Sequence, residues 1–218
     1  MEQQSTLPEL LYIYDAYCGW CYGMSTVVQR VEREFAGRLT VGVLSGGMLT
    51  KEEVGPIGLD WEERAGYLQQ VEQVAGVQFG NAYRQLGQEG SYIQHSEPPA
   101  RALHVFRQLD PEGRAVDFAH DIQQALFAHG QNLNDVATYE ALIQAYGLNA
   151  EEFRRQFFLP ATATTVQQEF AAVNRIGVQG FPTSILRVGA QGYVLSRGYQ
   201  PYAAFVQGLE QALQQAQE

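Results

Sequence analysis

Cysteine and basic residues are scarce in this chain of 218 residues. It has 2 cysteines, and its 14 lysine and arginine residues are outnumbered by 24 aspartate and glutamate residues, so the net charge is -10. So few cysteines exclude a framework of several disulfides as the source of stability. The negative charge opposes attraction to phosphate backbones and to anionic lipid surfaces. We therefore expect neither nucleic acid nor a membrane as a partner.

Long hydrophobic runs are missing as well. No apolar stretch reaches the roughly 20 residues that a membrane-spanning helix needs, and the first ten residues contain neither lysine nor arginine. A secretory signal has a basic start and a longer apolar segment than residues 10–17 provide. The sequence therefore predicts a protein of the cytoplasm.

Both cysteines belong to one short motif, YCGWCY, at residues 17–22. The apolar run 10–17 that leads into the motif predicts a buried strand, and residues 24–35 carry apolar side chains at helical spacing. Cys18 is therefore expected at the start of a helix, where free N–H groups and the helix dipole favour a thiolate. Because a thiolate is the species that attacks disulfides, the motif indicates a redox-active dithiol.

The remainder of the chain predicts strands at both ends and helices between them. Residues 39–44 predict a second strand, which would pair in parallel with the first across a βαβ crossover. The helices are expected at residues 61–74, 98–109, 115–129, 138–146, 151–158 and 162–176. A β-hairpin over residues 183–197 and a last helix over residues 202–216 are expected to follow. The sheet resumes after the helices, so the helical block is predicted to be an insertion.

Several helix starts carry capping signals. Capping pairs are expected at Thr50 with Glu53 and at Asn149 with Glu152. Ser96 precedes a helix with prolines in its first turn, and we expect it to cap that helix. The alternative is that residues 95–99 line a cleft opposite Trp20.

The order of these elements, with Cys-x-x-Cys opening the first helix and Pro182 just before the third strand, resembles the thioredoxin fold. The helical insertion narrows the resemblance to the DsbA-like branch of thiol-disulfide oxidoreductases. Within that branch, YDAYCGWCYG at residues 14–23 and GVQGFPT at residues 177–183 are most similar to the FrnE-like group and predicted disulfide isomerases. The resemblance implies an α/β protein whose thioredoxin-fold domain comprises residues 9–48 and 165–218. Residues 49–164 would form the helical insertion domain.

The resemblance also implies roles for single residues. Cys18 would be the exposed nucleophile, and Cys21 the thiol that resolves the mixed disulfide. Pro182 would follow a cis peptide bond beside the dithiol, where its missing N–H lets an extended substrate pair with the backbone of residue 181. The residues expected to contact substrate are Gly19, Trp20, Phe181 and Thr183. The substrates would be proteins or peptides with thiols or disulfides, with glutathione as a further candidate, and we expect no cofactor.

The chain departs from the family pattern between its cysteines. Gly19 and Trp20 stand where DsbA has Pro-His, so the histidine that helps to stabilise the DsbA thiolate is missing. We therefore expect this dithiol to be more reducing than that of DsbA, whose potential is about -120 mV, and nearer to that of thioredoxin at about -270 mV.

Asp15 has two interpretations. It either accepts the proton of Cys21 during the reaction or favours the helix start through its charge. The buried acid of thioredoxin lies farther upstream, at the position where this chain has Tyr12.

Two alternatives to disulfide chemistry stay open at this point. Kappa-class glutathione transferases and hydroxychromene carboxylate isomerases share the fold and the insertion, although they generally carry serine where this chain has Cys18. A non-catalytic module that uses the cysteines for metal binding or redox sensing is the second alternative. A structural zinc site needs four ligands, and the sequence has neither a second Cys-x-x-Cys nor a histidine pair at metal spacing, so we expect no metal. The histidines are scattered, at His95, His104, His120 and His129.

Overall fold

The computed structural model describes residues 7–216, apart from the side chain of Asp60. The strands are β1 (Glu9–Tyr14), β2 (Thr40–Ser45), β3 (Gly55–Pro56), β4 (Ile93–Gln94), β5 (Thr183–Val188) and β6 (Gln191–Arg197). The α-helices are α1 (Gly19–Glu34), α2 (Trp61–Ala75), α3 (Asn81–Glu89), α4 (Glu97–Leu109), α5 (Ala115–Phe127), α6 (Val136–Ala145), α7 (Ala150–Phe157), α8 (Pro160–Arg175) and α9 (Tyr202–Gln215). Two short 3₁₀ helices lie at Lys51–Glu53 and Ile57–Asp60.

Four strands form the main sheet in the order β2-β1-β5-β6. The β1–β2 pair is parallel, and the β1–β5 and β5–β6 pairs are antiparallel. Helix α1 is the crossover between the parallel strands, and α9 follows the hairpin of β5 and β6. The predicted α/β arrangement of a βαβ unit, a helical block and a ββα unit is therefore confirmed.

Strand β1 is central because both of its faces are covered. Successive side chains of a strand point to opposite faces. Leu10, Tyr12 and Tyr14 join the main hydrophobic core, whereas Ile13 packs with Val173 of α8 on the other face. The two-sided burial explains why the β1 sequence is apolar at nearly every position.

The helical block packs directly on the helix that carries the cysteines. Helix α5 and helix α2 both contact α1, and α4 contacts α5, α7 and α8. The rings of Phe106 in α4 and Phe118 in α5 stack with their centroids 4.0 Å apart. The predicted boundary between residues 164 and 165 falls inside the continuous helix α8, and the division into two domains stays a prediction.

Helix α3 and the small pair of β3 with β4 were not predicted. In that pair Gly55 lies opposite Gln94. Helix α3 has a glycine, Gly87, in its interior, where a Cβ would lie 2.2 Å from the ring of Trp61. The glycine weakens the helical signal in the sequence, but it is what allows the indole of α2 to pack closely.

One of the two predicted capping pairs is confirmed and the other is wrong. The Asn149 side-chain oxygen accepts a hydrogen bond of 3.0 Å from the backbone N–H of Glu152. Thr50 makes no capping hydrogen bond and precedes only a 3₁₀ helix of 3 residues. The physical reason is that Lys51 has a φ of 52°, a left-handed conformation in which an α-helix cannot start.

The two positions provide a matched test of helix capping. Asn149→Ala is expected to lower the free energy of unfolding by about 1 kcal/mol, because the N–H of Glu152 loses its partner. Thr50→Ala is expected to change it by less than about 0.5 kcal/mol. Urea unfolding followed by circular dichroism measures both, and equal losses in the two variants would contradict the assignment.

Candidate active site

The cysteines lie where β1 turns into α1. The backbone N–H of Cys18 donates to the carbonyl of Asp15 at 3.1 Å, which closes the turn. Cys18 is the N-cap residue of α1, with extended backbone angles, and its sulfur accepts a hydrogen bond of 3.3 Å from the N–H of Cys21. The Cys18 sulfur thus takes the place that a serine or aspartate oxygen occupies in an ordinary N-cap, facing the positive end of the helix dipole.

Cys18 is not the exposed thiol that the resemblance implies. Only 5% of its surface is accessible, and Cys21 is fully buried at 0%. The insertion is the reason, because its helix α2 brings Tyr67 over the start of α1. Cys18 still lines a cleft of about 450 Å³, together with Tyr17, Met48 and Tyr67. Both thiols are free, with no disulfide between them.

The cleft gives Cys18 a route to a substrate, whereas Cys21 has none. Burial, a hydrogen bond with Cys18 and the charge of Cys18 raise the pKa of Cys21 well above its ordinary value of 9.0. A backbone hydrogen bond from Asp15 opposes that rise. Cys21 is therefore protonated near neutral pH, and its sulfur can react only with a partner that is already bound to Cys18.

The segment before β5 lies against the dithiol. The Phe181-Pro182 peptide bond is cis. The Cys18 thiol donates to the carbonyl oxygen of Phe181 across 3.4 Å, although the two residues are 163 positions apart in the chain. Thr183 begins β5 and its hydroxyl donates to the carbonyl of Gly180 at 2.8 Å. The fold thus brings the two sequence motifs into direct contact.

Two glycines in the loop after β2 allow aromatic rings to pack closely against the backbone. A Cβ on Gly46 would lie 1.9 Å from the Phe181 ring, and one on Gly47 would lie 2.7 Å from Phe170. Gly47 also has a φ of 73°, which side chains disfavour. Gly46 therefore leaves room for the ring of Phe181, and Gly47 for that of Phe170. Neither contact was predicted, since a pair of glycines alone indicates only a loop.

The residues between the cysteines are covered by aromatic side chains. A Cβ on Gly19 would lie 3.1 Å from Tyr67 and 3.3 Å from Phe79. The backbone N–H of Trp20 donates to the Tyr67 hydroxyl at 3.3 Å. The Trp20 indole packs against the rings of both Tyr67 and Tyr199. Gly19 is buried and Trp20 is half-buried. Contact of either residue with a substrate stays a prediction.

Phe181 and Thr183 also differ from each other in exposure to solvent. Phe181 is half-buried, and it also lines a second cavity of about 520 Å³ with Met48 and Gln179. Thr183 is 4% exposed, and its hydroxyl is used by Gly180. Its backbone lies between paired strands, opposite Ile13 and Arg197, and contact of Thr183 with a substrate stays a prediction.

Asp15 is a buried carboxylate with three hydrogen-bond donors around it. It accepts from the backbone N–H of Tyr17 at 3.0 Å, from the N–H of Met48 at 2.8 Å and from the hydroxyl of Ser96 at 3.0 Å. Burial raises the pKa of Asp15, and these hydrogen bonds oppose the rise. Asp15 therefore ties the turn before Cys18 to the loop after β2 and to the start of α4.

Ser96 does not cap α4 as predicted. It precedes the helix, but its hydroxyl makes no capping hydrogen bond. The hydroxyl instead donates to Asp15 and accepts from the N–H of Leu49 at 2.9 Å. A capping oxygen accepts from the N–H of the second or third helical residue, but these are Pro98 and Pro99 in α4, which have no N–H to donate. The Ser96 hydroxyl is therefore free to bind the buried carboxylate.

Two further residues, neither of them among the predicted site residues, fix the backbone of the turn. The Tyr12 hydroxyl donates to the carbonyl of Cys21 at 2.9 Å. The Gln123 amide of α5 donates to the carbonyls of Asp15 and Cys18 at 3.2 and 3.4 Å. Gln123 is fully buried, and it stands at a core position of an otherwise apolar helix face. A polar residue at such a position is the signal that could have identified it.

Features of other kinds of site are missing from the described part of the chain. Among residues 7–216, no group of three or more histidine, cysteine, aspartate or glutamate side chains is arranged to hold a metal ion. In the same range, no helix combines the length and apolar character that crossing a bilayer requires.

Comparison with known families and structures agrees with this architecture. The family model of the DSBA-like thioredoxin domain matches residues 10–210. A Nitrosomonas europaea protein, provisionally assigned as a disulfide isomerase, has a similar structure with a TM-score of 0.85 and 25% identity, over 96% of this chain and 98% of that one. The predicted fold class, a thioredoxin fold of the DsbA-like type with a helical insertion, is thereby confirmed.

Two other relatives cover nearly the whole chain. The cytosolic disulfide reductase DsbM from Pseudomonas aeruginosa is 28% identical with a TM-score of 0.79, over 95% of this chain and 99% of that one. Its structure with glutathione (GSH) gives a TM-score of 0.76. The ClpXP adapter protein SpxH from Shouchella clausii is 22% identical over 94% of this chain and 67% of its own length.

Replacing Asp15 by asparagine is expected to remove one component of the pH dependence of stability. The pKa of Asp15 is raised above 3.8 in the folded protein, so the folded chain holds this proton more tightly than the unfolded chain. Asp15 therefore adds most to the free energy of unfolding at low pH, where it is protonated. This contribution is lost as pH rises from about 3.8 through the folded-state pKa. Denaturant unfolding at a series of pH values should show the decline in wild type and not in Asp15→Asn.

Ser96→Ala is the matched control for this measurement. It removes one hydrogen bond to the same carboxylate but leaves the acid in place, so the decline with pH should persist. Identical slopes in wild type and Asp15→Asn would contradict a raised pKa.

Proposed function

We propose that this chain, which belongs to the DSBA-like thioredoxin domain family, is a thiol-disulfide oxidoreductase whose reacting groups are Cys18 and Cys21. The observation that carries the proposal is the position of the Cys18 sulfur. It lies at the start of a helix, 3.3 Å from a backbone N–H, 3.4 Å from the carbonyl of Phe181 and at the wall of a cleft. A structural thiol needs none of these three features.

The first step of the proposed reaction is attack of the Cys18 thiolate on one sulfur of a substrate disulfide. A mixed disulfide forms between Cys18 and that sulfur, and the other substrate sulfur leaves as a thiolate that takes up a proton. The N–H of Cys21 and the helix dipole stabilise the negative charge on Cys18 before the attack. The cis segment at Phe181 and Pro182 provides the backbone edge beside which an extended substrate would lie.

In the second step Cys21 resolves the mixed disulfide. Its sulfur attacks Cys18, the Cys18-Cys21 bond forms, and the second substrate thiol is released. Cys21 must lose its proton for this attack, although its pKa is raised by burial and by Cys18. Asp15 is the proposed acceptor, because it is a buried carboxylate whose charge acts on Cys21.

Reduction is the direction that we propose, with peptides, proteins or small molecules such as glutathione as the disulfide substrates. The relative DsbM is named a cytosolic disulfide reductase and has a structure with glutathione, which supports both this direction and a location in the cytoplasm. DsbA is a strong oxidant because its reduced form is stabilised. Here Gly19 and Trp20 provide no cationic side chain that would stabilise the reduced form.

The two cysteines are expected to behave differently when mutated singly. With oxidised glutathione, Cys21→Ser should accumulate a glutathione adduct on Cys18, because nothing resolves it. Cys18→Ser should form adducts at least about tenfold more slowly, because Cys21 has no accessible surface. Mass spectrometry of the intact, unreduced protein measures the adduct.

Wild type is the control in this experiment, since it should release glutathione and retain the Cys18-Cys21 bond. Equal adduct formation in the two variants would contradict the assignment of roles. Insulin reduction at an undiminished rate by both variants would show that the dithiol is not the reacting group.

The dithiol is also expected to have a potential near the about -270 mV of thioredoxin rather than the about -120 mV of DsbA. The protein would be equilibrated with defined ratios of reduced and oxidised glutathione, and the free thiols trapped by alkylation. A midpoint close to that of DsbA would contradict a reductase and favour an oxidase.

A further inference from the structure

The cleft beside Cys18 contains a positive charge in an acidic protein. Of the described residues that line it, Arg64 is the one basic residue and Glu63 the one acidic residue, and the others are Tyr17, Cys18, Met48 and Tyr67. The whole chain carries a net charge of -10. Arg64 offsets the charge of Glu63 at the wall of this cleft, so an anion meets less repulsion there than over the rest of the acidic surface.

Arg64 is anchored by a hydrogen bond to a buried side chain. Its guanidinium donates to the side-chain oxygen of Gln94 at 3.0 Å, and Gln94 is 3% exposed. Gln94 itself is fixed by the pairing of β4 with β3, opposite Gly55. A side chain anchored in this way is already partly ordered, so it loses little rotamer freedom when a ligand binds.

Helix geometry places Arg64 and Tyr67 side by side. The two residues are three positions apart in α2, so their side chains share one face of that helix. Tyr67 covers the residues next to Cys18, where it accepts from the N–H of Trp20. The helix that covers the dithiol is thus the same helix that brings in the cation.

An arginine at such a site is suited to one kind of group. The guanidinium has five N–H donors in a planar fork. One nitrogen donates to Gln94 and the Tyr83 side chain is a second hydrogen-bond partner, which leaves further N–H donors for a ligand. A planar fork matches the two oxygens of a carboxylate in a bidentate pair. A cleft of about 450 Å³ is within the range that holds small ligands, and would accommodate a short peptide.

We propose that Arg64 binds a carboxylate of the disulfide substrate while Cys18 attacks its sulfur. The preferred substrates are small disulfides or short peptides that carry a carboxylate near the disulfide. This inference rests on the proposed oxidoreductase function. In the reaction, one substrate disulfide and the two protein thiols become two substrate thiols and the Cys18-Cys21 disulfide, so two electrons pass from the protein to the substrate.

The test is a single-turnover comparison of two disulfides with the fully reduced protein. Oxidised glutathione carries carboxylates, and bis(2-hydroxyethyl) disulfide is uncharged. Oxidation of the protein is quenched by alkylation at successive times and read by mass. We expect Arg64→Gln to lower the second-order rate constant for oxidised glutathione by about tenfold, the value of one charge-assisted contact, and to change the rate for the neutral disulfide by less than twofold.

Two further variants keep the test specific. Arg33→Gln removes the same charge from the last turn of α1, roughly 22 Å along the helix from Cys18, and should leave both rates unchanged. Arg64→Lys keeps the charge without the fork and should recover only part of the loss. The neutral disulfide also reports on folding, because a misfolded variant would lose that rate too.

The outcomes separate the two proposals. If wild type oxidises with neither disulfide, the proposed function itself fails. If wild type reacts with both and Arg64→Gln slows both equally or slows neither, the carboxylate site is overturned while the oxidoreductase stands. An effect of Arg33→Gln as large as that of Arg64→Gln would reduce the result to the net charge, and would likewise overturn the site.

Discussion

The buried carboxylate of Asp15 is the constraint on which the site depends. A turn that carries a reactive thiol into the interior must have its own polar groups satisfied there, because each unpaired buried group costs about 1–3 kcal/mol. Asp15 meets that need by accepting from three separate parts of the chain, at Tyr17, Met48 and Ser96. The sheet, the loop after β2 and the helical insertion are therefore joined at one residue, directly before Cys18.

This arrangement limits the access of substrates to the dithiol and fixes the order in which the two cysteines react. Burial hides Cys21 completely and leaves Cys18 at the wall of a cleft, so a large folded substrate has less access than it would to a thiol at the surface. In return, the order of events is fixed by geometry, since Cys21 can react only after Cys18. The same burial raises the pKa of Cys21, which keeps it protonated until it is needed.

Local patterns in the sequence were sufficient for the sheet, most helices and the meeting of the two motifs. The strand-to-helix position of Cys18 and the residues 181 and 182 lie at places that the fold brings together by its topology alone. Contacts between distant elements were not accessible in this way. Ser96 has the pattern of a helix cap but binds Asp15, 81 positions away. Gln123 is a single polar residue on an apolar face, and only its partners in space explain it.

Gly19, which lies between the two cysteines, is in close steric contact with the helical insertion. The chemistry of the site comes from the β1–α1 turn and the segment before β5, which belong to the sheet. Its shape comes from α2, because Tyr67 fills the space beside Gly19, so that even a methyl group there would lie 3.1 Å from the ring. A bulkier residue at position 19 would have to displace the ring of Tyr67, which lines the same cleft as Arg64. The absence of a side chain at Gly19 thus leaves the space that the Tyr67 ring occupies, and the shape of the cleft depends on that small residue.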